Sequence, residues 1–297
     1  MIMSCGKGGL EQDDLAVKNS YQLSVIGTEK EVWSKMSWQR FLPPALFFPF
    51  LAYIVFCKEP VFFTILIGAI VVLGLLEFYN MVQKEDWWFL GLFSGIMLAG
   101  FAHQNQLSSA IGGIVYVVLS LILLFGLIKP SVVTAITKFG ITAIIFGVGY
   151  VAFLISHLII IRNMEEGRLL LLYLFCVVWA SDGGAYLIGK RFGRHKGIFS
   201  VSPNKSIEGL LGGLAGSLGF SLFLGGTIGL NRYESFGMGV LLSLVALLGD
   251  LAESSFKRCA GAKDSGSWIM EYGGILDVFD SIILCAPLFY YVYLFIK

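Results

Sequence analysis

The sequence predicts an all-α polytopic membrane protein with about nine transmembrane helices. Three observations carry that expectation. Hydrophobic residues make up 57% of the 297 and charged residues only 14%, the mean hydropathy is +0.80, and apolar runs recur that can cross about 30 Å of hydrocarbon. A net charge of +1 supplies no whole-molecule field to attract nucleic acid, so any useful charge must be local. Cys5, Cys57, Cys176, Cys259 and Cys285 are scattered without a CxxC pair, which argues against a disulfide framework or a zinc site.

Residues 1–40 are polar and mixed in charge and lack the short apolar core of a cleavable signal, so they read as a cytoplasmic tail. Within and just beyond it, Val32, Trp33, Met36, Trp38 and Phe41 offer a short interfacial stretch, because Trp favours the headgroup level. Residues 41–165 are expected to hold spans at 42–57, 61–79, 87–102, 108–128 and 141–161. Pro43-Pro44 and Lys129-Pro130 punctuate helix ends there. In these apolar stretches His157 is the ionisable residue that stands out, and hydrogen bonding to a neighbouring helix is its expected role. Residues 166–297, with expected spans at 168–188, 207–230, 238–256 and 273–295, carry nearly all the polar chemistry.

Lys and Arg set the orientation. On alternate sides of this nine-span arrangement they fall sixteen against five. The richer side holds the N-terminal tail, the 190–205 loop and the segment with Lys257, Arg258 and Lys263. The positive-inside rule therefore places these charged segments in the cytoplasm.

Three polar clusters follow. In the first, Asp182-Gly183-Gly184 interrupts an apolar run ahead of Lys190, Arg191, Arg194 and Lys196. The glycines let the backbone bend or another helix come close, and the cations suit an anionic ligand. In the second, Ser202-Pro203-Asn204-Lys205-Ser206-Ile207-Glu208-Gly209 reads as a helix start with Ser202 as N-cap and Pro203 at the first helical position, which puts Lys205 and Glu208 in the first turn. Free backbone N–H groups there form a phosphate seat. The GxxxG spacings at 209/213 and 212/216 are read as close helix packing, within one chain or across a homodimer.

In the third cluster, Asp250, Glu253, Ser254 and Lys257 share one helix face, and Asp277, Asp280 and Ser281 repeat part of that spacing on the next helix. Two helices presenting carboxylates at one level form a site for a hard cation such as Mg2+, which shares oxygen ligands with substrate phosphates. These parts suit phosphoryl or nucleotidyl transfer beside a membrane.

The ordered set resembles a known family. Asp182-x-x-Ala185-Tyr186-x-x-Gly189, Phe192-Gly193, Ser202-Pro203-x-Lys205-x-x-Glu208-Gly209, Gly249-Asp250-Leu251-x-Glu253-Ser254-x-x-Lys257-Arg258, Lys263-Asp264 and Gly273-Gly274-x-x-Asp277-x-x-Asp280-Ser281 look like the signature of phosphatidate cytidylyltransferases. The resemblance implies condensation of CTP with phosphatidic acid to CDP-diacylglycerol and pyrophosphate within membrane lipids. It implies catalytic roles for Asp250, Lys257, Arg258, Lys263, Asp264, Asp277 and Asp280, with Mg2+, and room for a second cation, on Asp250, Asp277 and Asp280. It further implies substrate contacts from Asp182, Lys190, Arg191, Ser202, Lys205, Glu208, Ser254, Gly273 and Gly274. Asp277→Asn is then expected to abolish turnover with stability near wild type. Tyr272 and Val278 stand where the family pattern has His and Arg, and Met270 where Pro or Gly is common.

Alternatives at this level are a relative acting on another lipid phosphate, a transporter, and a non-catalytic membrane protein of similar fold. A CDP-alcohol phosphatidyltransferase ranks below them, because its DGxxAR motif is absent and Asp277 and Asp280 stand three apart rather than four.

Overall fold

Long apolar runs satisfy their own backbone N–H and C=O groups only as helices, and helices are what form. The computed structural model describes residues 49–82, 88–103, 110–129, 140–261, 265–266 and 273–297. Residues 51–297 make one compact unit, in which a helical segment at 51–56 precedes eight longer helices among the described residues. These are α1 (Pro60–Val82), α2 (Trp88–His103), α3 (Ala110–Ile128), α4, α5 (Gly167–Phe192), α6 (Ile207–Leu224), α7 (Arg232–Cys259) and α8 (Ile275–Ile296). Helix α4 runs through Gly140–Gly147, a π-helical stretch Val148–Phe153, and Leu154–Arg162. Among the described residues the β pairing is confined to an isolated antiparallel bridge between Lys196 and Ser206.

Six of these helices are long and apolar enough to cross a membrane, and the chain is an integral membrane protein. The sequence expectation was about nine. The expected spans at 87–102 and 108–128 correspond to α2, described over Trp88–His103, and to the apolar 19-residue α3, Ala110–Ile128, neither of which is among the six. Of the first expected span only residues 42–48 fall outside the described residues, 49–56 being helical, and the N-terminal tail with its Trp-rich stretch lies outside them altogether.

A helix that is apolar all round is buried, and α4 is the buried hub. Every residue from Tyr150 to Arg162 lies inside, packed on α1, α2 and α8. His157 faces Phe153 O through Nδ1 at 2.9 Å and the Tyr291 hydroxyl through Nε2 at 3.2 Å. Its hydrogen bond to the neighbouring helix α8 is the one expected.

The α5–α6 pair is the most extensive helix contact, and small residues explain it. A methyl at Gly184 would strike Gly212 O, one at Gly216 would strike Ala180 O, and one at Gly213 would come within 2.9 Å of Ser181 O. The glycine spacing thus serves packing inside one chain. Helix α5 continues through Asp182, and of its double glycine it is Gly184 that admits α6, while Gly183 has open space at its Cα. Helices α7 and α8 meet as closely, with Gly249 against the backbone oxygen of Asp280.

Candidate functional site

The C-terminal ends of α5 and α7 and the N-terminal ends of α6 and α8 converge at one level. Polar contacts join them pairwise. Lys205, just before α6, places Nζ 2.7 Å from Asp250 Oδ2 on α7. Ser254, one turn on, donates to Asp250 Oδ1 at 3.3 Å. On the opposite side, Ser281 Oγ on α8 donates to Asp182 Oδ1 on α5 at 3.2 Å.

A denser knot lies between α7 and α8. Lys257 Nζ sits 2.5 Å from Asp277 Oδ1 and 3.1 Å from Glu253 Oε2. All three side chains are largely enclosed, at 13%, 11% and 1% exposure. One ammonium therefore compensates two carboxylates, the condition for holding such charges out of water. The other Asp277 oxygen, Oδ2, accepts from Gly274 N at 2.7 Å, Ser265 N at 3.0 Å and Ser265 Oγ at 2.8 Å. A carboxylate three residues into a helix that reaches back to the N-cap amide is one half of a capping box. At Gly273 the backbone has φ +87°, in the left-handed region that favours glycine.

The remaining first-turn amides of α8 are met from an unexpected direction. Glu77, near the end of α1, accepts from Ile275 N at 2.8 Å through Oε1 and from Leu276 N at 3.0 Å through Oε2. Ser265 Oγ is 3.2 Å from the same Oε2. Glu77 is 1% exposed. Its negative charge lies at the positive end of the helix dipole, where carboxylates are stabilised. The sequence reading passed over Glu77, although an acid inside an apolar run was itself a signal.

Other expected residues land as follows. Ser202 does not start α6: a turn over 199–205 contains it, with Ser202 N donating to Phe199 O and Lys205 N to Ser202 O. The N-cap is Ser206, which accepts from Gly209 N at 3.1 Å. Ser206 wins because the Lys196–Ser206 bridge holds that residue itself extended after the turn, as an N-cap requires. Lys205 accordingly precedes the helix, and Glu208 alone is in its first turn. Glu208 is turned to the preceding loop, accepting from Arg194 N at 3.1 Å, from His195 N at 3.3 Å and from the His195 ring at 2.5 Å. Lys190 hydrogen-bonds the Tyr186 hydroxyl and lies over its ring, and Arg191 lies over Phe192. Arg258 closes the last turn of α7. Lys263, Asp264, Met270 and Tyr272 fall outside the described residues.

The donor set can be tested against Mg2+. Both Asp277 oxygens are already engaged. Asp280 and Asp182 lie within electrostatic reach of Asp250 and of each other, and Asp280 Oδ1 accepts from Ser281 N at 2.5 Å. Among the described residues no three His, Cys, Asp or Glu side chains form a ready cage. Carboxylates from three helices nonetheless fit a hard cation that takes one or two of them and completes its shell with water and phosphate oxygens.

Residues 38–296 match the model of the cytidylyltransferase family. A phosphatidate cytidylyltransferase of Haemophilus influenzae is 32% identical over 273 residues, covering 81% of this chain and 93% of that protein. One of Staphylococcus aureus (strain COL) is 42% identical over 146 residues, 48% of this chain and 55% of its own length. One of Synechocystis is 43% identical over 132 residues, 44% and 45% respectively. The match thus spans about half the length of the latter two relatives and nearly all of the first.

Proposed function

The chain belongs to the cytidylyltransferase family, and from that premise we propose that it condenses CTP with phosphatidic acid, forming CDP-diacylglycerol and pyrophosphate. A non-bridging oxygen of the lipid phosphate attacks the α-phosphorus of CTP. The bond from that phosphorus to the α–β bridging oxygen breaks, and pyrophosphate leaves with the electron pair. No covalent protein intermediate is needed, so the protein's task is alignment and neutralisation of charge.

The supporting observation is the pairing of Lys205, just before α6, with Asp250 on α7 and of Lys257, two turns further along α7, with Asp277 on α8. Each lysine is held where it can meet phosphate oxygens while its carboxylate partner stays fixed. Asp250 and Asp280 would hold Mg2+, joined by Asp182, while Asp277 secures Lys257 and the segment before α8. When bound, the ion would polarise phosphate oxygens and offset the charge developing on the leaving group. Counted on the nine-span arrangement, the excess of Lys and Arg on this side of the chain supports a site open to the cytoplasm, where CTP is available.

The test is Mg2+-dependent pyrophosphate release by the purified protein in detergent. Release that requires both CTP and phosphatidic acid and is lost in Asp250→Asn supports the reading. Release with a polyprenyl phosphate in place of phosphatidic acid moves the assignment to another lipid phosphate. Folded protein that releases nothing with either lipid overturns it.

A further inference from the structure

We propose that Glu77, in an apolar helix remote from the signature motifs, is a positioning residue of this reaction. It acts by fixing the first turn of α8 and Ser265, and through them the setting of Asp277 against Lys257. The inference rests on the cytidylyltransferase reading.

Three observations carry it. First, Glu77 and Asp277 divide one set of donors. Gly274 N goes to Asp277, Ile275 N and Leu276 N go to Glu77, and Ser265 Oγ faces both carboxylates. A hydroxyl has one proton to give, so the two acids are linked through it. Second, the backbone closes on Glu77 from both sides of the segment between α7 and α8. A methyl at Gly266 would lie 2.8 Å from Glu77 Oε1, and one at Gly274 would strike Glu77 Oε2 and Ser265 Oγ. Third, this part of α1 is anchored beside Glu77, since the adjoining Phe78 is 1% exposed and packs on Phe146 and Phe256.

Without the Glu77 carboxylate, two buried N–H donors of α8 are orphaned, and a buried donor seeks the nearest acceptor. Asp277 is that acceptor, already on the adjacent amide. Any turn of Asp277 toward the backbone lengthens its contact with Lys257 and shifts the ammonium toward Glu253. The consequence falls on the reacting geometry more than on substrate capture.

The experiment uses the full chain in detergent, with CTP, Mg2+ and phosphatidic acid, and follows both turnover and melting. The variants are Glu77→Gln, Glu77→Ala, Gly266→Ala and the Glu77→Ala/Gly266→Ala pair. Glu77→Gln keeps the shape and one acceptor oxygen, so it preserves the fold. It should lower kcat by about 10- to 100-fold, the range for residues that orient a catalytic group, with KM for CTP little changed. Gly266→Ala should lower kcat and the melting temperature in the wild-type background and much less in the Glu77→Ala background, because the three atoms nearest the new methyl all belong to the Glu77 side chain.

A Glu77→Gln protein with wild-type kcat overturns the proposal, as do additive effects of Glu77→Ala and Gly266→Ala. Wild-type protein that releases no pyrophosphate defeats the reaction reading instead. The melting cycle then still distinguishes a Glu77 that grips this segment from one that does not.

Discussion

The loop between α5 and α6 and the segment between α7 and α8 are each pinned by a glutamate that collects backbone N–H groups, but in opposite surroundings. Glu208 holds Arg194 N and His195 N at the rim, beside a His195 side chain that is 73% exposed. Glu77 holds Ile275 N and Leu276 N in the interior at 1% exposure. Water and salt compete for the first set of bonds and are excluded from the second. The same device therefore gives a loop that can be released cheaply and a segment that cannot. The lysines follow the same division. Lys205 pairs with an Asp250 side chain that is 36% exposed, whereas Lys257 is enclosed between Glu253 and Asp277.

The strongest attempt to break this contrast is Lys257→Met. It leaves two buried carboxylates facing one another, and removing one partner of a buried ion pair costs about 3–5 kcal/mol. The expected outcome is loss of most folded protein, measured by detergent melting and size-exclusion recovery. A melting curve near wild type would show that water already reaches the knot.

Asp277→Asn comes next. The sequence reading expected it to abolish turnover and spare stability, but the structure gives Oδ2 three donors and Oδ1 an ammonium. The variant should lose activity and also about 1–3 kcal/mol of stability, the cost of leaving buried polar partners unmet. Lys205→Ala probes the outer pair. Turnover should fall, with higher CTP needed for saturation, while stability changes by no more than about 1 kcal/mol, as for exposed ion pairs. Glu208→Gln should have the smallest effect on melting, and any difference from wild type should shrink as salt is raised. A salt-independent loss as large as that of Asp277→Asn would erase the contrast between the two loops.

Hydropathy located the helices well, because apolar length is a local property of the chain. The face shared by Asp250, Glu253, Ser254 and Lys257 was legible for the same reason: helical spacing fixes it without knowledge of the partner. Glu77 was not read, since its donors lie nearly two hundred positions away and no local spacing encodes them. The start of α6 was misplaced by four residues, at Ser202 instead of Ser206. A Ser-Pro pair and a Ser ahead of an apolar run with Glu208 in its first turn both suit a helix start, and a bridge formed by Lys196 decided between them. Glu208 was legible in the first turn of α6, but its donors Arg194 N and His195 N were not, because the return of the loop toward α6 is a tertiary event. The expectation of about nine spans stands beside six long apolar helices among the described residues, because hydropathy also read as spans α2, α3 and the stretch that includes the helical segment at 51–56.

The distance along the chain between Glu77 and its amide partners also bears on how the protein is made. Helix α1 leaves the ribosome with its carboxylate nearly two hundred residues ahead of Ile275, an interval of about 10–40 s at ordinary rates of synthesis. Through that time the acid has no α8 to receive it, and hydrocarbon would be a costly place to wait. Its position near the end of α1 resolves the difficulty. There it can stay among hydrated headgroups while the following helices insert, and the arrival of the final helix withdraws it from water and closes the bundle.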